Sequence, residues 1–282
     1  MAVKFIVDSS SDITQNEAKA LGITCLPLTV SFGEEIYRDG VDLSHNEFYE
    51  KLIESDVFPK TSQLPPAEYE EAMEEALKDG SEVLVITVSS KVSGTYQSAV
   101  IAAESFGDKV TVIDSESVAV GIRILLERGL ELASSGMSAC EIAAVLNKEK
   151  YSVRVIATID TLEYLKRGGR ISSAAAIAGG VLNLKPVITV KDGELAILGK
   201  ARGSKQANNF LRNYILECGG INFKKPFALA YSGLSDATLR KYISDSRDLW
   251  ENETDDLPVY SIGCVIGAHA GPGAAAIAFF EN

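Results

Sequence analysis

Cationic residues are in the minority in this chain: 27 Lys and Arg stand against 39 Asp and Glu, a net charge of −12 over 282 residues. That balance argues against general nucleic-acid binding and against broad attraction to anionic membranes, both of which rest on surplus positive charge. Cysteine is scarce. Cys25, Cys140, Cys218 and Cys264 are far apart, form no C-x-x-C pair and stand mostly among apolar residues, so they read as reduced core thiols. Histidine is scarcer, with only His45 and His269. Long hydrophobic runs are also lacking. The longest late stretch, Cys264 to Phe280, is interrupted by His269 and by Gly271-Pro272-Gly273, which rules against a membrane span. The opening MAVKFIVDSSSD carries too short an apolar run for a secretory leader and reads as a first strand, so a cytoplasmic protein is expected. No internal repeat, charged tract or low-complexity linker breaks the pattern.

What is present is a composition 46% hydrophobic, enough to bury substantial cores, and a length that suggests two domains. In the first half strands and helices alternate. Val3 to Val7 is strand-like, Thr14 to Leu21 helical, and Thr24 to Phe32 a second extended segment containing Pro27. Ser44-x-x-Glu47 is a capping box for a helix over Ser44 to Ser55. Pro65 and Pro66 introduce a helix near Ala67 to Leu77. The β-branched run Val83 to Val88 predicts a strand buried on both faces, followed by a helix from Thr95, a strand at Lys109 to Ile113, a helix over Val118 to Ala133 and another opened by Ser138-x-x-Glu141. This β-α-β-α order predicts a parallel sheet covered by helices on both sides. Ligands of such sheets bind beyond the carboxyl ends of the strands. Asp8 to Asp12, Ser89 to Gly94 and Asp114 to Ser117 all follow strands and are expected at that rim.

The pattern changes near residue 150. Val153 to Ile159 reads as a strand, Leu162 to Arg167 as a short helix and Ser172 to Leu182 as a small-residue helix. Asp192-Gly193, between Val187 to Val190 and Glu194 to Leu198, predicts a hairpin. Helices near Ser204 to Cys218 and Ser235 to Trp250, with strands at Phe227 to Tyr231, Val259 to Ile262 and Ala275 to Phe280, complete the chain. The fold class expected is α/β: an N-terminal three-layer α/β/α domain with a parallel sheet over residues 1–150, and a C-terminal α+β domain with a mixed sheet over 151–282.

Chemistry concentrates in a few segments. SSKVSGTYQSA, Ser89 to Ala99, turns an apolar strand into a helix, where unpaired N–H groups and the macrodipole favour an anion. Ser93 offers a hydroxyl there, and Gly94 permits close approach to the backbone. Lys60-Thr61-Ser62-Gln63 places two more hydroxyls ahead of the proline-started helix. LEYLKRGGRIS, Leu162 to Ser172, joins a short helix to a Gly-Gly turn with Arg167 and Arg170. GCVIGAHAGPG, Gly263 to Gly273, presents His269 in a glycine-rich loop before the last strand. Asp8 and Asp12 sit among serines, a setting that favours turn and cap hydrogen bonds over a metal, and no metal is expected.

Together with the N-terminal DSSSD, these segments resemble the DegV family of bacterial fatty-acid-binding proteins, in order and along essentially the whole chain. The resemblance implies a two-domain α/β protein that holds one long-chain fatty acid, carboxylate at the domain interface and chain in an apolar tunnel. It also implies presentation of the acid to an ATP-dependent fatty acid kinase subunit, which makes acyl-phosphate for phospholipid synthesis. By motif position Thr61 and Ser93 become carboxylate ligands, with the backbone of Gly94 beside them and His269 and Arg170 near the ligand head. No cofactor and no catalytic residue of its own follow from it.

The alternative is an acyl-transfer enzyme or hydrolase with Ser93 as nucleophile and His269 as base. It lacks a G-x-S-x-G elbow and an identifiable acid to orient His269. An ATP site is no better supported, since GELAILGKA from Gly193 has the wrong spacing for a phosphate loop. His45 is expected to be solvated. Lys200, Arg202 and Lys205, close after the hairpin, stand out against the net charge as a docking patch for the partner or for transient contact with a membrane surface.

Overall fold

The structure is a computed structural model that describes residues 2–171 and 184–282; the helix expected over Ser172 to Leu182 lies outside them. In the first half the strands are β1 (Val3–Asp8), β2 (Thr24–Leu26), β3 (Thr29–Phe32), β4 (Glu35–Arg38), β5 (Lys60–Ser62), β6 (Glu82–Thr87) and β7 (Val110–Asp114). The helices are α1 (Gln15–Leu21), α2 (His45–Glu54), α3 (Pro66–Leu77), α4 (Thr95–Ala103), α5 (Val120–Ser134) and α6 (Ala139–Glu149). A parallel sheet runs β2-β1-β6-β7. Its strands are apolar on both faces, as the run Val83 to Val88 predicts. Ile6, Val83 and Val85 pack with Tyr69 and Met73 of α3 and Ala99 of α4, while Phe5, Val7, Leu84 and Ile86 pack with α5 and α6. The three-layer α/β/α arrangement follows from that alternation.

The segment Thr24 to Phe32 departs from expectation. It splits at Pro27: β2 pairs with β1, and β3 leaves to form a three-stranded antiparallel sheet, β4-β3-β5. Proline has no N–H to continue a ladder, and the next one, on Leu28, donates to Ser9 Oγ at 3.1 Å. Lys60-Thr61-Ser62 is correspondingly an edge strand with Thr61 opposite Val30, not merely a polar approach to a helix.

The second half carries β8 (Val153–Thr158), α7 (Glu163–Arg167), β9 (Leu184–Lys191), β10 (Glu194–Arg202), α8 (Gly203–Glu217), β11 (Ala228–Tyr231), α9 (Ala237–Asp245), β12 (Val259–Ser261), α10 (Cys264–Ala270) and β13 (Ala275–Phe280). The sheet order is β10-β9-β8-β13-β11-β12, mixed because β11 and β12 alone run parallel. The hairpin turn holds Asp192 and Gly193 at φ +53° and +78°, the positive values a tight turn needs. Lys200 and Arg202 lie inside β10, not beyond the hairpin. One face of the sheet is covered by Leu211 and Ile215 of α8 and Leu239 and Tyr242 of α9. The other presents Ala157, Ala276 and Ala278 to the core shared with the first half. The helix α5 lies between the two sheets, touching β1 and β6 on one side and β8, β11 and β13 on the other.

GCVIGAHAGPG is also corrected: Cys264 to Ala270 is a helix, and His269 sits in its last turn. The glycines read as a loop because the partners that make the helix are far away in sequence. The buried carboxylate of Asp39 accepts from the N–H groups of Cys264 (3.0 Å) and Val265 (3.3 Å), and Gly267 has no Cβ where Phe48 and Tyr49 of α2 press in.

Candidate functional site

Three loops at the carboxyl rim of the parallel sheet are stitched together by carboxylates. Asp8 accepts from the Ser10 N–H at 3.0 Å and from the Val88 N–H at 3.0 Å, and Asp114 accepts from the Ser90 N–H at 3.1 Å. Asp12 accepts from the Gly263 N–H at 2.8 Å, tying the rim to the entry of α10. Burial raises the pKa of both Asp8 and Asp12 against the pull of these hydrogen bonds. The two aspartates make the turn and cap bonds expected of them. Within this frame Ser93 Oγ lies 2.8 Å from Thr95 Oγ1 and accepts from the Thr95 N–H at 3.3 Å.

Gly94 matters for space rather than for backbone angle. A Cβ at that position would lie 2.7 Å from Cδ of Gln63. Gln63 in turn donates to Ser98 Oγ at 3.3 Å. The strand β5 is thereby docked on the start of α4, which brings Thr61 and Ser93 to one cavity. Gly94 directly follows Ser93, which lines that cavity.

His269 reaches the same place from the second half, its Nε2 2.9 Å from Thr61 Oγ1. Its Nδ1 has no hydrogen-bond partner. Burial, and secondarily the charge of Arg170, lower its pKa from 6.5 to about 4, so the imidazole is neutral near pH 7. Arg170 donates through Nε to Val92 O at 3.3 Å and through Nη1 to Gly168 O at 2.6 Å. It links the LEYLKRGGRIS turn to the segment bearing Ser93 while lining the cavity.

That cavity encloses about 950 Å³ of space between atoms, including its opening. Thr61, Ser93, Arg170 and His269 gather on one part of its lining, and Val155, Ala157, Ile188, Leu195 and Ala276 supply apolar walls. Among the described residues no cluster of His, Cys, Asp and Glu could hold a metal, and no helix is long and apolar enough to cross a membrane.

Other residues singled out in the sequence have surface or supporting roles. Arg167 pairs with Glu163 at 2.5 Å and lies over the Phe58 ring. His45 is half-buried rather than solvated, because it sits against Gly263 and Asp39. Ser93 and His269 are not hydrogen-bonded to each other: the serine bonds Thr95 and the imidazole bonds Thr61. The serine–base contact of acyl transfer is therefore unmade. Sequence reasoning missed Asp39 and the packing roles of Gln63 and Gly168; the last two stood inside quoted motifs, Asp39 in none.

The neutral imidazole has a pH consequence. Between the unfolded pKa of 6.5 and the folded value of about 4, the unfolded chain binds a proton that the folded chain does not. His269's contribution is thus fully present above the upper value and is lost as pH falls toward the lower, by about 3 kcal/mol in all. His269→Gln should lose correspondingly less stability between about pH 7 and about pH 4 than wild type does. Denaturant titrations of both proteins across that window check this, and equal slopes would contradict a buried neutral imidazole.

Fold and cavity together define a class: α/β proteins in which a parallel and a mixed sheet flank an apolar cavity with hydrogen-bonding groups gathered on one part of its lining. The chain belongs to the DegV family, whose model, described as uncharacterised protein of the DegV family, matches residues 2–282. It is similar to a DegV domain-containing protein of Deinococcus radiodurans, 36% identical over 99% of this chain and 98% of that one. Among solved structures it resembles a DegV family protein from Thermus thermophilus described for its fatty acid binding, with TM-score 0.89, 33% identity and full coverage of both chains. It also resembles a stearic acid-binding protein from Eubacterium ventriosum, with TM-score 0.86 and 28% identity over 100% of this chain and 98% of that one.

Proposed function

We propose that this protein binds one long-chain fatty acid, with the carboxylate at Thr61, Ser93, the Gly94 backbone, His269 and Arg170 and the acyl chain along the apolar walls. The observation that carries this is the Thr61–His269 pair, lining together with Ser93 and Arg170 a cavity whose walls are mostly apolar. The fatty acids named for the solved relatives support it. Hydroxyls and a neutral imidazole satisfy a carboxylate by hydrogen bonding, and most of the gross affinity falls to the chain. At roughly 0.8 kcal/mol per buried methylene, about fifteen methylenes supply on the order of 12 kcal/mol before ordering costs.

In this proposal the site lies at the seam between residues 1–150 and 151–282. The protein is a cytoplasmic carrier that presents the carboxylate to an ATP-dependent kinase subunit for acyl-phosphate formation and touches the membrane surface transiently. Arg202 and Lys205, exposed where β10 meets α8, are the proposed contact.

Native mass spectrometry of protein purified without added lipid should show a bound fatty acid. Ser93→Ala and Thr61→Ala should each weaken binding roughly ten- to a hundredfold, the value of one hydrogen bond to a charged group, with folding unchanged. Unaltered affinity in both variants would remove these hydroxyls from the head-group site. A covalent acyl adduct on Ser93 would favour the hydrolase.

A further inference from the structure

The six-stranded sheet is split between β8 and β9. Ile156, Ala157 and Thr158 pair with Thr189, Ile188 and Val187, yet both strands continue past the Ile156–Thr189 pair. On its far side β8 stays paired with β13 back to Val153, and β9 stays paired with β10 out to Lys191. Across the gap, Val153 to Val155 and Val190 to Lys191 form no ladder. Thr189 stands at the fork, where its hydroxyl donates to Val155 O at 2.7 Å.

A second cavity, about 1000 Å³ on the same measure as the first, occupies this gap. Its character is different. Glu116, Lys150, Arg154 and Asp192 line it, and several of these charges already have partners: Lys150 Nζ lies 2.8 Å from Glu116 Oε1, and Arg154 Nη2 lies 2.6 Å from Glu281 Oε1. Val155, Thr189 and Val190 line both cavities. They are the shared wall between the apolar chamber and the polar opening. Val155 is braced from behind by α5, where a Cβ on Gly121 would stand 2.6 Å from its Cγ2.

The geometry points to Val155 and Val190 as the stop that sets how long an acyl chain the cavity accepts, the space their own side chains fill ahead of the polar split being what a longer chain takes once the stop is trimmed. This rests on the fatty-acid reading above. A methyl terminus that meets two isopropyl groups is buried, whereas additional methylenes pushed past them enter a lining of paired charges where burial yields little. Chain length is therefore discriminated by these two side chains and not by the carboxylate site.

The test uses the full-length protein, stripped of lipid, with a competing mixture of saturated straight-chain acids from dodecanoic to docosanoic, read by native mass spectrometry. Val155→Ala/Val190→Ala should move the preferred acid to a longer one. Relative affinity for the next even-numbered acid should rise on the order of tenfold, the worth of about two further buried methylenes. Val190→Phe should shift the preference to shorter acids by a similar factor. Val190 is only partly buried, so Val190→Ala and Val190→Phe still decide the matter if the double variant does not fold. Wild type that binds acids while the folded variants keep its length profile would overturn the stop and leave the fatty-acid reading intact. Wild type that takes up no acid of any length would overturn both.

Discussion

Arg123→Ala is expected to destabilise the fold by about 3–5 kcal/mol, the cost of removing one partner from a buried charge network. The guanidinium on α5 is almost wholly buried, its side chain 3% exposed. It donates to Asp12 O at 2.8 Å and to Glu17 Oε1 at 3.0 Å, and it lies 3.6 Å from the centre of the Tyr260 ring. Glu127 follows at 3.8 Å, its pKa raised by burial to about 7. Alanine leaves these carboxylates without their cation and opens a hole between α5, the rim of the parallel sheet and β12. Arg247, with 77% of its side chain exposed and paired with Glu251, is the control, since exposed pairs are worth about 0–1 kcal/mol. Denaturant unfolding of the two variants measures the contrast. A loss at Arg123→Ala no larger than at Arg247→Ala would contradict the network.

Contacts between residues distant in the chain show where sequence reading stops. Capping boxes at Ser44 and Ser138 formed as their local spacing dictates, and the doubly apolar run before Ser89 became a central strand. Those features act within a few residues of themselves. Asp39 carries no such signal, because its partners Cys264 and Val265 are more than two hundred positions away. Without it the glycine-rich segment around His269 reads as a loop, and with it the segment is a helix. The small antiparallel sheet was illegible for a related reason: Lys60 to Ser62 is polar and short, and its strand character comes from pairing with β3. Motif positions thus named Thr61, Ser93, Arg170 and His269 without giving the contact between Thr61 and His269. Only the folded chain puts the imidazole on the hydroxyl.

Gly168 is the position where that contact is most open to attack. Its backbone is ordinary, with φ −71° and ψ −11°, so alanine carries no conformational penalty there. Space is what it lacks: a Cβ would stand 2.7 Å from Cε1 of His269 and 3.1 Å from the Tyr164 carbonyl oxygen. The ring cannot retreat freely, being held by Thr61 on its other nitrogen with Arg170 close by. Gly168→Ala should therefore displace the imidazole, cost about 1–3 kcal/mol of stability as an overpacked site does, and weaken fatty-acid binding about as much as His269→Ala does. The double variant decides the mechanism. With the ring gone the added methyl has room, so Gly168→Ala/His269→Ala should bind no worse than His269→Ala alone and recover part of the lost stability, a coupling of roughly 1–3 kcal/mol. Lipid titration and denaturant unfolding of the four proteins complete the cycle. Additive losses would mean that Gly168 acts through its own backbone, and that the space it leaves is not what seats His269 against Thr61.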